Sequence, residues 1–101
     1  MSARYRKDAH DALGQRLDRY LARQPECAAR LTSRSQPWAS VTFNGARHQF
    51  VYHTGDEWLV RRLRTEIVET EFDLPGHIVA DIRLSGAGGR MTVEALTVEI
   101  G

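Results

Sequence analysis

The sequence predicts an α+β fold, a two-layer sandwich with a four-stranded antiparallel sheet and helices on one face, in the order α-α-β-β-α-β-β. Three observations predict it. Apolar residues recur at helical spacing over 9–21 and again over 59–67. Apolar and polar residues alternate over 39–53 and 77–100. The turn-forming residues fall between these periodic stretches rather than inside them.

From Asp8 onward, Ala9, Leu13, Leu17, Tyr20 and Leu21 follow one another at helical intervals, with Arg16, Arg19 and Arg23 off the stripe, which gives a first helix. Pro25 suits a first helical position and Glu26 follows it, so a short second helix is expected through Cys27, Ala28 and Leu31, ended by Ser33, Ser35 and Pro37. Ala39, Val41 and Phe43 then alternate with Ser40 and Thr42, and Asn44-Gly45 can supply the two positive φ angles of a type I′ turn. A hairpin is expected with Phe43 opposite Ala46, Val41 opposite His48 and Ala39 opposite Phe50, Tyr52 extending the core face. The other face would carry Trp38, Ser40, Thr42, Arg47, Gln49, Val51 and His53 and stay wet.

Thr54-Gly55-Asp56-Glu57 fits a capping box. The helix it opens would bury Leu59, Val60, Leu63 and Ile67 and end between Glu69 and Phe72, with His53 stapled against Trp58. Leu74-Pro75-Gly76 reads as a turn. In the third strand Ile78, Ala80, Ile82 and Leu84 are expected inward and His77, Val79, Asp81 and Arg83 outward. After a glycine-bearing loop over 85–90, Met91 and Val93 hold one parity but Leu96, Val98 and Ile100 the other, so a β-bulge is expected between Glu94 and Leu96.

The chain has 101 residues, a formal charge of +1 and 42% hydrophobic residues, which fits one ordinary globular domain with a real core. A single cysteine excludes an internal disulfide and a multi-cysteine zinc cluster, so a cytoplasmic location is expected. No apolar run is long enough for a signal peptide or membrane span. Thirteen of the 14 basic residues are Arg, a bias that codon usage explains. The charges are unevenly spread: residues 1–50 hold nine basic and four acidic residues, residues 51–101 five and nine.

Little in the chain points to chemistry. His48 falls on the expected core face and reads as a packed histidine, Cys27 as a small buried hydrophobe, and no nucleophile, base and orienting group can be assembled from spacing. Ser85-Gly86-Ala87-Gly88-Gly89-Arg90 leads into a strand rather than a helix, which argues against a phosphate cradle. The expected function is a non-catalytic binding or assembly module using an exposed sheet face or edge strand. Trp38, Arg47, Val51, His53, His77 and Val79 are the candidate binding residues, and a protein partner or self-association the expected occupant. Two alternatives stand beside it: polyanion binding through the Arg-rich N-terminal helices, and an enzyme with a His/carboxylate or metal site on the open sheet face. No cofactor is expected.

Overall fold

The structure, a computed structural model, describes residues 2–26 and 28–100, with backbone alone over 2–8. Its elements are α1 (Ser2–Ala22), β1 (Ala29–Ala39), β2 (Asn44–His53), α2 (Glu57–Glu69), β3 (His77–Ala87) and β4 (Arg90–Glu99). All neighbouring strands are antiparallel and the sheet order is β1-β2-β4-β3. The α+β class and the four-stranded sheet are as expected; the element order is α-β-β-α-β-β, with one helix before the strands instead of two.

Of the residues expected to form the second helix, those from Ala29 onward are strand, and Pro25, Glu26 and Ala28 precede it without helix. Ala29–Ala39 is rich in Ser, Thr and Arg and lacks an apolar stripe, so a helix there would bury little, whereas pairing with β2 satisfies its backbone. Cys27 lies outside the described residues. The first hairpin turns earlier than Asn44-Gly45: Ser40 Oγ accepts from the backbone N–H of Thr42 (3.3 Å) and Phe43 (3.0 Å), and Ser40 N–H donates to Phe43 O (2.8 Å). A serine side chain thus closes the loop. Ala39 consequently faces Asn44, Ser35 faces His48 and Ser33 faces Phe50. Val41 and Phe43 are exposed instead of buried. Gly45 serves a close strand approach and not a turn, since a Cβ there would collide with Thr97 O.

Ala46, His48, Phe50 and Tyr52 are buried along β2, as the alternation requires. Asp56 caps α2, accepting from Trp58 N–H (2.9 Å) and Leu59 N–H (3.3 Å), while Thr54 Oγ1 accepts from Asp56 N–H (3.2 Å). The cap therefore sits two residues beyond the expected one. Trp58 is exposed beneath the Arg61 guanidinium, 5.8 Å from its ring, rather than stapled inward.

The bulge expected in β4 lies in β3. Val79 pairs with Thr97 and Asp81 with Leu96, leaving Ala80 as the extra residue. An edge strand takes such an insertion with one ladder disturbed, whereas β4 is paired on both sides. Ile82 and Leu84 remain buried, but Ile78 turns outward, and His77 and Val79 turn towards the helices. At the tip of this hairpin Gly88 (φ 61°) and Gly89 (φ 81°) supply the positive φ values of a two-residue turn. Gly89 O accepts from Thr54 N–H at 2.9 Å, tying the tip to the approach of α2.

Leu13, Leu17 and Leu21 of α1 and Leu59, Leu63 and Ile67 of α2 share one core with Phe50, Tyr52, Ile82, Leu84, Met91 and Val93. Both helices thus cover the same sheet face. Among the described residues no helix is long and apolar enough to cross a membrane.

Candidate functional site

Two regions carry polar groups that the fold itself does not explain. The first lies under α1. His10 sits beside the Ala9–Leu13–Leu17 stripe, and its ring stacks 4.7 Å from Phe50 and 5.2 Å from His48. Its Nδ1 is 2.9 Å from His48 Nδ1 and its Nε2 is 3.0 Å from Ser33 Oγ. His48 Nε2 is 2.8 Å from Thr97 Oγ1, and the Thr97 hydroxyl donates to Ala46 O at 3.4 Å.

One assignment of the protons satisfies all four contacts at once. With its own proton on Ala46 O, Thr97 Oγ1 accepts from His48 Nε2–H. His48 Nδ1 is then the bare nitrogen and accepts from His10 Nδ1–H. His10 Nε2 is bare in turn and accepts from the Ser33 hydroxyl. A single relay runs from Ser33 to His10, His48, Thr97 and Ala46 O, joining α1, β1, β2 and β4.

Burial holds the imidazoles neutral. It pushes His48 down to about 4, with repulsion from His10 and His77 acting in the same direction. Burial also lowers His10, with Asp11 opposing and Arg30 adding to the fall. Arg30 lies 5.8 Å over Phe50 and pairs with Asp18 at 3.3 Å, and Asp18 accepts from Tyr52 OH at 2.9 Å. Gly14 permits this arrangement, since a Cβ there would come within 2.5 Å of Arg30 Nη1.

The second region is the sheet face turned away from the helices. Strand register places Trp38, Gly45, Val98 and Ile78 in one transverse row. The Trp38 indole lies against Gly45, and its Nε1 is buried without a hydrogen-bond partner among the described residues. Ile78 is 49% exposed, which leaves the end of an apolar row open to solvent. The next rows are Gln36–Arg47–Leu96–Asp81 and Arg34–Gln49–Glu94–Arg83. Arg83 Nε is 3.8 Å from Glu94 Oε1.

Of the residues expected on this face, Trp38, Arg47, Val51 and His53 are there. Val51 does not join Trp38: it is six positions from Gly45 along β2, roughly 20 Å at about 3.3 Å per residue. The expectation for His77 and Val79 is corrected, because the bulge at Ala80 rotates both to the helix-covered side. His77 is buried there, its Nδ1 3.0 Å from Pro75 O. His53 and His77 therefore lie on opposite faces, and no group of three or more His, Cys, Asp or Glu residues suited to a metal occurs among the described residues.

The basic residues are dispersed. Arg62 binds Glu26 (2.6 Å), Glu66 (3.3 Å) and Gln24 (2.7 Å), whereas Arg61, Arg64 and Arg90 line a cavity of about 470 Å³ beside the Gly88-Gly89 turn. The side chains of Arg4, Arg6 and Lys7 lie outside the described set.

Sequence reasoning missed His10 and Ser33. His10 breaks the apolar stripe of α1 next to Ala9, and a polar residue on a buried stripe is the available signal. Ser33 carries none, because in the sequence it reads as a residue that ends the expected second helix. Comparison of the chain with protein-family models, curated proteins and solved structures finds no match.

Proposed function

We propose that this protein is a binding or assembly module whose open sheet face docks against another copy of the chain. The observation that carries this reading is the row Trp38–Gly45–Val98–Ile78, apolar throughout and containing a buried indole N–H with no acceptor among the described residues. Sheets that pack face to face align their strands. With a two-fold axis parallel to the strands, β1 of one copy lies over β3 of the other, so Trp38 meets Ile78 twice and the row is its own complement. The mixed charges of Arg34, Arg47, Arg83, Asp81 and Glu94 on the same face suit an isologous contact better than a partner of one sign.

The area is adequate. Four strands at about 4.8 Å spacing and ten residues at about 3.3 Å give roughly 600 Å² of flat footprint per copy. Side-chain relief raises the sum over two copies into the standard range, which begins near 1,200 Å².

Sedimentation velocity across a concentration series tests the reading. Wild type is expected to dimerise, and Ile78→Asp, at an exposed position, to remain folded and monomeric. A wild-type chain that stays monomeric up to about millimolar concentration, the ceiling of weak association, removes the proposal.

A further inference from the structure

We propose that Ser33 is an activated serine nucleophile, with His10 as its general base and His48 as the group that positions His10, and that its electrophile is the carbonyl of an activated ester. This inference concerns the helix-covered side of the sheet and is independent of the open face.

The relay supplies the connectivity that nucleophile activation needs. Base and nucleophile are 3.0 Å apart, and the base is held by a third group at 2.9 Å on its other nitrogen. Direction matters as much as distance. In the proton arrangement that satisfies every contact of the relay, His10 Nε2 is bare towards the Ser33 hydroxyl, the tautomer a base requires. Ring stacking on Phe50 at 4.7 Å restrains the plane of the His10 imidazole. Ser33 is half-buried, so it keeps some exposure to solvent, and it lies on β1, the sheet edge. Alternate backbone N–H groups of an edge strand have no partner strand, so donors for a developing oxyanion exist along the same segment.

In the step itself, Ser33 Oγ forms a bond to the acyl carbon while its proton passes to His10 Nε2. The resulting imidazolium keeps its Nδ1–H on His48 Nδ1, a neutral acceptor. The ester C–O bond breaks, and the leaving alkoxide takes the proton from His10 Nε2, giving a Ser33 ester and a free alcohol. Asp11 favours the transient charge on His10; Arg30 from β1 opposes it directly, and His77 from β3 bears on His48.

The test is covalent labelling of the full chain with a fluorophosphonate, read by intact mass and peptide mapping. Oγ–P forms, P–F breaks, and fluoride leaves with the serine proton relayed through His10. Labelling is expected at Ser33, absent in Ser33→Ala and slowed about a hundredfold or more in His10→Asn. Labelling no faster than that of free serine, labelling elsewhere only, or an unchanged rate in a folded His10→Asn overturns the proposal. If His10→Asn fails to fold, the wild-type rate between pH 5 and 8 decides: a fall in acid with an apparent pKa below 6.5 supports the relay, and a flat profile overturns it.

Discussion

Lowering the pH from 7.5 to 4.5 is expected to destabilise the fold by about 2.5 kcal/mol through His48 alone. An imidazole in the unfolded chain titrates near 6.5, whereas His48 in the fold is held down to about 4. Between these values the unfolded chain binds a proton that the folded chain refuses, so stability falls as protons are added. The contribution is complete above pH ~6.5 and lost progressively towards pH ~4. At pH 4.5 the unfolded-state factor is about 100 and the folded-state factor about 1.3, and RT times the logarithm of their ratio gives about 2.5 kcal/mol. His10, also lowered by burial, acts in the same direction. Carboxylates titrate at the acid end as well, so the readout is the difference between wild type and His48→Gln, which lacks the titrating ring. Urea denaturation at pH 7.5, 6.0, 5.0 and 4.5 is the assay. The wild type should lose roughly 2 kcal/mol more than the variant over this range. Parallel curves for the two proteins would refute the assignment of a neutral buried His48.

Three further outcomes follow from the packing. Gly45→Ala drives a Cβ into the Thr97 carbonyl oxygen, and separating β2 from β4 there should cost about 2 kcal/mol or more in chemical denaturation. Asp56→Ala leaves the Trp58 and Leu59 N–H groups without their acceptor and should cost about 1 kcal/mol by the same measurement. Val41→Asp should change stability by no more than about 0.5 kcal/mol, because Val41 is fully exposed in the turn; a large loss would place it in the core after all.

The parts legible from sequence were those in which a repeating pattern meets a single burial environment. The stripes Leu13–Leu17–Leu21 and Leu59–Leu63–Ile67, the inward set Ala46, His48, Phe50 and Tyr52, and the strand character of 77–99 all belong to this class. The failures have a common origin in tertiary pairing. β1 has almost no apolar signal because it is an exposed edge held by backbone hydrogen bonds, and such bonds leave no periodicity in the side chains. Asn44-Gly45 resembled a turn because glycine answers both to positive φ and to close strand approach, and only the position of Thr97 distinguishes the two. The change of parity within residues 91–100 is visible in the sequence, but β4 stays regular with Leu96 and Val98 on the outer face, and the bulge falls in the edge strand β3 instead. The pairing of His10 with Ser33 is beyond reach of the sequence for the same reason: 23 residues separate them, and the strand that joins them carries no side-chain pattern.

The pairing of β2 with β4 divides the molecule into halves, each a helix followed by its own hairpin, joined by residues 54–56. Each hairpin closes over a short loop, whereas the central ladder joins residues far apart in sequence, so docking of the halves is expected to be the slow step of folding. The N-terminal half carries the basic excess and the C-terminal half the acidic excess. That imbalance therefore works as long-range attraction across the junction, drawing the two units together before their side chains interlock. Severing the chain within 54–56 should consequently yield fragments that find one another and reconstitute the sheet, with a rate that drops as salt is added.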